Sequence, residues 1–306
     1  MRIIFMGTPE FAVASLDALI DAGCDIVAVI TAPDKPAGRG QKLNESAVKK
    51  YALANNIKVL QPEKLKDPDF LQELQNLKAD LQVVVAFRML PEVVWNMPPK
   101  GTINLHASLL PQYRGAAPIN WAVINGEKES GATTFLLQQQ IDTGNILFTE
   151  KVSIPEDFTA GDLHDKLMIK GAGLLVKTVK AVESDKFNAQ PQDHLLEGIE
   201  LKHAPKIFKD DCKIDWNKPV EQVYNLIRGL SPYPTAFTEL NGKTLKIFTA
   251  TKETATPDTE PGSFSTDNKT YLKFACTDGY ISVKDLQLEG KKRMGVEEFL
   301  RGVRLT

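Results

Sequence analysis

Cysteine is scarce: the 306 residues include three, Cys24, Cys212 and Cys276, and no two form a CxxC pair. That spacing argues against a disulfide framework or a structural zinc site and fits a reducing compartment. Histidine is nearly as scarce. His106, His164, His194 and His203 lack metal-ligand spacing, so no metal is expected. No apolar run approaches the roughly 20 residues needed to span a bilayer, so no membrane partner is expected. Residues 1–7 read as a short strand and turn, without the apolar core and cleavage site of a signal peptide, and a cytoplasmic protein is expected. A net charge of −2 does not indicate a purely electrostatic nucleic-acid binder. Residues 205–306 nevertheless carry 16 Lys and Arg against 14 Asp and Glu, which permits an RNA contact there without demanding one. The first strand is not followed by GxGxxG, so a dinucleotide fingerprint is absent.

What is present is an α/β rhythm. Residues 2–6 read as a buried strand, Gly7 as a turn, residues 9–23 as a helix and residues 26–30 as a second strand, which implies a parallel sheet covered by helices. Residues 33–46 have the composition of a loop, with prolines, glycines and the cations Lys35, Arg39 and Lys42. This is either a basic arm for an anionic partner or a solvated surface loop. The run 81–87 is nearly all apolar, as in a central strand buried on both faces. Residues 159–184 have the period of a long amphipathic helix. After a linker-like stretch, 188–206, the rhythm changes. Five short β runs at 236–239, 244–251, 263–266, 271–275 and 280–288, separated by turn residues, suggest a small barrel. The expected architecture is a Rossmann-like parallel-sheet domain over residues 1–187, the linker, and a small OB-like β-barrel domain over 207–306.

The stretch Asn104-Leu-His-Ala-Ser-Leu-Leu-Pro-Gln-Tyr-Arg-Gly115 begins as a strand and ends in a turn. Residues two apart on a strand point to the same side, so Asn104 and His106 project together where the strand runs out. An amide can donate to a developing oxyanion, and an imidazole can move a proton near neutral pH. A hydrogen-bonded buried histidine is the other reading, and these two residues alone leave both open. Asp142, in Ile141-Asp-Thr-Gly144, is by composition an ordinary turn residue.

Several segments together resemble the 10-formyltetrahydrofolate-dependent formyltransferases, and within them the methionyl-tRNA formyltransferase family, over the whole chain. These are Phe5-Met-Gly-Thr-Pro-Glu-Phe-Ala12, the basic stretch 32–43, the signature 104–119, Ile141-Asp-Thr-Gly144, Ile214-Asp-Trp216 and Arg228-Gly-Leu-Ser-Pro-Tyr-Pro234. The first signature and the Asp-Thr-Gly mark the wider group; the basic stretch and the C-terminal part narrow it to the tRNA enzymes. The resemblance implies transfer of formyl from 10-formyltetrahydrofolate to the α-amine of methionyl-initiator tRNA, by a monomer. Asn104, His106 and Asp142 become the implied catalytic residues. Ser108, Leu109, Leu110, Pro111, Phe87, Met89 and Leu90 become the implied folate-binding residues, and Lys35, Arg39 and Lys42 the implied tRNA-binding residues. Many members have Tyr-Gly where this chain has Phe87-Arg88-Met89, so the folate contacts there are expected to differ in detail. Two other readings are the same chemistry on a small amine such as an amino-sugar, and a Rossmann-like nucleotide- or RNA-binding module without catalysis.

Overall fold

The computed structural model describes residues 1–37, 42–196, 198 and 200–305. The chain divides into two compact units. One comprises residues 1–115, 131–152 and 164–202; the other comprises 116–130, 153–163 and the chain from 203 onward.

The first unit is built on strands β1 (Arg2–Gly7), β2 (Asp25–Ile30), β5 (Val59–Leu60), β6 (Leu81–Val85), β7 (Thr102–His106), β9 (Glu129–Leu136) and β10 (Ile146–Ser153). Two short hairpin strands, β3 (Lys35–Ala37) and β4 (Lys42–Asn44), lie outside that sheet, and β8 is the two-residue Arg114–Gly115. The sheet order is β10-β9-β7-β6-β1-β2-β5. Strands β5, β2, β1, β6 and β7 run parallel, and β9 runs antiparallel to β7. All five residues of β6 are buried, as expected of a strand covered on both faces. Helix α1 (Glu10–Asp21) follows Pro9, with an acid at its positive end. In α2 (Ala47–Ala54) the Ser46 hydroxyl caps the Lys49 amide, and in α3 (Pro68–Asn76) the Asp67 carboxylate caps Asp69 and Phe70. A single turn, α4 (Glu92–Trp95), leads into β7. The long helix α6 (Ala160–Glu183) buries Leu163, Leu167, Leu174, Leu175, Val179 and Val182, the apolar stripe legible in its period.

The chain enters at the centre of the sheet, moves outward through β2 to β5, then returns to β6 and β7 on the other side of β1. Such a reversal opens a crevice outside the carboxyl ends of the strands, where ligands of open α/β sheets bind. Two boundaries differ from the sequence reading. Strand β6 stops at Val85 rather than residue 87, because Ala86 adopts φ +48 and leaves the ladder. Residues 33–46 are not all loop: Lys35 pairs with Asn44 and Ala37 with Lys42 across a hairpin too short to show a period.

The second unit contains α5 (Pro118–Ile124), the two-residue β11 (His203–Ala204), α7 (Val220–Gly229), an antiparallel sheet and α8 (Val296–Gly302). Its strands are β12 (Ala236–Leu240), β13 (Lys243–Thr254), β14 (Phe264–Thr266), β15 (Leu272–Ala275), β16 (Gly279–Leu288) and β17 (Met294–Gly295). Their order is β12-β13-β16-β15-β14, with β17 on β16, which makes an open half-barrel. Inward positions of α7 and the strands form its core, including Val223, Ile227, Leu245, Ile247, Phe274, Ile281 and Val283. Trp216 closes one side: its ring stacks on Phe274 at 4.7 Å and its Nε1 donates to Thr238 Oγ1 at 3.0 Å. Trp216→Ala removes a buried ring and orphans that hydroxyl. It is expected to cost about 3–5 kcal/mol, read as a lower urea midpoint in equilibrium unfolding.

Among the described residues no helix is long and apolar enough to cross a membrane.

Candidate active site

Strand β7 carries Asn104 and His106 to the carboxyl end of the sheet. Asn104 lies opposite Phe135 and His106 opposite Thr133 on β9. Parallel pairing with β6 sets Asn104 beside Val84, one residue before β6 ends, and leaves His106 one residue beyond the last pair. Asn104 is half-buried, and among the described residues its side-chain amide has no hydrogen-bond partner. An amide held by the backbone of a central strand and left uncommitted is available to a bound oxygen.

His106 is 7% exposed. Its Nε2 lies 2.8 Å from the Tyr113 carbonyl oxygen. A carbonyl can only accept, so Nε2 carries the proton and Nδ1 keeps the basic lone pair in the neutral ring. Nδ1 faces Asp142 Oδ2 at 3.8 Å. That separation exceeds a hydrogen bond and places a carboxylate oxygen within ion-pair distance of the ring.

Asp142 sits in the turn between β9 and β10, with φ +53. An aspartate tolerates this left-handed backbone better than most residues. Its Oδ2 accepts from the Gly115 amide at 3.0 Å, which ties the carboxylate to the end of the β7 loop. The turn itself is held from below. Gln192 Nε2 donates to the carbonyls of Asp142 and Gly144 at 2.9 and 2.8 Å, while Gln192 Oε1 accepts from Arg114 Nε and Nη2 at 3.1 and 2.6 Å. No side chain fits at Gly144, where a Cβ would lie 1.6 Å from the Leu136 carbonyl oxygen. Burial pushes the Arg114 guanidinium below its ordinary value, against the opposing pull of Asp193 and Asp142.

The loop after β7 folds back through internal bonds. Ser108 is buried, and its hydroxyl donates to Gln112 O at 2.6 Å; Thr133 Oγ1 donates to Ser108 O at 2.7 Å and accepts from Leu110 N at 3.2 Å. Leu110 packs with Phe135 and Ile146, and Pro111, which follows a cis peptide bond, is buried. Leu109 is half-buried. On the neighbouring strand end Leu90 is buried with Val84 and Val94, Phe87 packs against that cluster, and Met89 is 73% exposed. Leu137 packs against both the Leu90 cluster and the Leu110 cluster, so these two strand ends form one apolar margin. The Arg88 guanidinium lies 5.6 Å from the Phe87 ring centroid and donates to the Pro62 and Glu63 carbonyls.

The three implied catalytic residues are therefore together. Of the three implied tRNA-binding residues, Lys35 is exposed, Lys42 is placed by its backbone pairing, and Arg39 lies outside the described residues. In the other unit Lys291 and Lys292 are exposed, whereas Arg293 stacks on Phe248 at 4.1 Å and donates to Asp285 through Nε at 2.7 Å. Sequence reasoning missed Gln192, Arg114 and the Tyr113 carbonyl. The first falls in a stretch with linker composition, and a carbonyl has no residue type to read. Burial pushes all three cysteine thiols up, Cys276 to about 12, so none is a nucleophile near neutral pH.

An uncommitted amide, a proton-carrying imidazole and a carboxylate at the mouth of a parallel sheet suit acyl transfer to an amine, and the comparisons name the class. The family model described as formyl transferase matches residues 1–179, and the formyl transferase C-terminal domain matches residues 206–304. Fold and site thus define a formyl transferase. The chain belongs to the methionyl-tRNA formyltransferase family: proteins so named from Bacteroides fragilis and Flavobacterium johnsoniae are 54% and 51% identical to it, over 100% and 99% of this chain and 96% of each relative. Among solved structures, an N-formyltransferase from Helicobacter canadensis, in complex with folinic acid and dTDP-3-aminofucose, aligns over 92% of this chain and 98% of its own, with TM-score 0.68 and 22% identity. HypX from Aquifex aeolicus, in complex with tetrahydrofolic acid, aligns over 100% of this chain and 48% of its own, with TM-score 0.67 and 18% identity. At those identities the two structures share the fold.

Proposed function

We propose that this protein transfers the formyl group of 10-formyltetrahydrofolate to the α-amino group of methionyl-initiator tRNA, as a monomer in the cytoplasm. The observation that carries the chemistry is the placement of the Asn104 amide beside His106, whose protonated nitrogen is already committed to Tyr113 O and whose free nitrogen faces Asp142. Identity above 50% to methionyl-tRNA formyltransferases along the full chain supports the acceptor.

The methionyl amine attacks the formyl carbon, and the carbonyl electrons move to oxygen. Asn104 donates to that oxyanion, a contact worth about 3 kcal/mol or more of barrier in comparable sites. The attacking nitrogen loses a proton to His106 Nδ1. The resulting imidazolium keeps Nε2 on the Tyr113 carbonyl and turns Nδ1 toward the Asp142 carboxylate. The bond from carbon to the folate N10 then breaks, the oxyanion returns to a carbonyl, and N10 takes the proton from His106. The histidine ends as it began, and the amine now bears formyl.

The apolar margin of Leu110, Leu137, Leu90 and Phe87 suits the face of a flat pterin, with main-chain groups of 108–111 and 87–90 reading its edge. Ser108 contributes through its backbone, since its hydroxyl is committed within the loop. Lys35, Arg39 and Lys42 of the basic stretch, together with the cations of 207–306, would meet tRNA phosphates.

The test incubates purified protein with 10-formyltetrahydrofolate and either methionyl-initiator tRNA or a nucleotide-linked amino-sugar. Formylated methionine with the tRNA and no sugar product is expected; the opposite pattern would transfer the chemistry to a small amine.

A further inference from the structure

We propose that Gln192 is a positioning residue for formyl transfer, setting the Asp142 carboxylate at its working distance from His106. The inference rests on reading Asp142 as the charge partner of His106. Asp142 lies on a turn whose neighbour Ile141 is 58% exposed, and a turn by itself does not fix a carboxylate to within a fraction of an ångström. Four hydrogen bonds on one side chain supply the missing constraint. Gln192 is 2% exposed, its two N–H groups donate to the carbonyls of Asp142 and Gly144, and its oxygen accepts from Arg114 Nε and Nη2. Every donor and acceptor of the amide is used, so its orientation is fixed: nitrogen toward the turn, oxygen toward the guanidinium. The two carbonyls flank the carboxylate-bearing residue, so the turn cannot slide without breaking them. Gly115 N then sets the carboxylate itself. Arg114 and Gly115 are adjacent, so one short segment reaches Asp142 twice, directly through a main-chain amide and indirectly through Gln192.

Gln192→Glu separates these functions. The side chain keeps its length and its attraction to Arg114, but it presents oxygen to the Asp142 and Gly144 carbonyls, and both donations are lost. A shift of about 1 Å in a catalytic group can cost on the order of 100-fold. The expected result is a kcat lower by about 10- to 100-fold, with KM for 10-formyltetrahydrofolate and for methionyl-tRNA within about twofold of wild type. A residue that merely holds the fold would not divide kcat from KM in this way. Combined with Asp142→Asn, the further loss from Gln192→Glu is expected to fall below about twofold, because positioning matters only while there is a charge to position. Gln192→Met, which keeps the length and removes all four bonds, is expected to give the same split and replaces the glutamate variant should that one not fold.

Unchanged kcat in Gln192→Glu alongside an impaired Asp142→Asn overturns the positioning role and leaves the reading of Asp142 standing. An equal loss in both backgrounds also overturns it, since Gln192 would then act elsewhere. Full activity in Asp142→Asn overturns the reading of Asp142 and, with it, this inference.

Discussion

His106→Ala is expected to lower formyl transfer by about 10²- to 10⁴-fold while methionyl-tRNA and folate still bind. The size follows from its position. The imidazole is 7% exposed, has one nitrogen spent on the Tyr113 carbonyl, and offers the other beside a carboxylate. Among the described residues its side-chain partners are the Tyr113 carbonyl and the Asp142 carboxylate, and neither can take over as a neutral-pH base. Single-turnover formylation should therefore collapse while a filter-binding isotherm for methionyl-tRNA stays in place. His106→Gln retains a donor for the Tyr113 carbonyl but cannot carry a proton at neutral pH. If it recovers turnover, the ring's work is hydrogen bonding and the proton-transfer role is wrong.

Asn104→Ala is expected to reduce kcat by about 10²- to 10³-fold, or roughly 3–4 kcal/mol, with a much smaller change in KM. The amide makes no hydrogen bond among the described residues, so its removal leaves no orphaned group in the free protein and the folded state should be little affected. Thermal melting within a few degrees of wild type separates this from a folding defect. Asn104→Asp is expected to be at least as impaired, because a carboxylate would face the oxygen on which negative charge develops. An aspartate variant with near-normal kcat would sink the oxyanion role.

The sequence disclosed these two residues because strand alternation is a strict geometric rule, and the breakers before residue 102 announce where the strand begins. The central strands and α6 were legible for the same reason: burial on two faces, or on one helical stripe, leaves a regular trace. The end of β6 left no trace, since Ala86 takes a left-handed backbone without being a glycine or an asparagine. Asp142 could be named only through family resemblance, because a lone Asp-Thr-Gly is chemically an ordinary turn. Gln192 was illegible. It lies 50 residues from Asp142 in a stretch with the composition of a connector, and its burial depends on a long-range hydrogen bond that no local pattern encodes. The pairing of residues 35–37 with 42–44 was hidden by its brevity, since three-residue strands carry no measurable period. In the second unit the turn residues divided the strands correctly, although β13 extends to Thr254, beyond the apolar run that revealed it.

The Tyr113 carbonyl that fixes the His106 tautomer belongs to the main chain, and the Tyr113 amide is in turn held by Lys202 O at 2.6 Å. Every amino acid has that carbonyl. Exchanging the side chain at 113 leaves the acceptor present, whereas one base change at codon 192 can remove the amide beneath Asp142. The two halves of the acid–base pair therefore have unequal genetic robustness. Random mutagenesis followed by selection for slower variants should recover lesions on the carboxylate's support far more often than lesions on the histidine's.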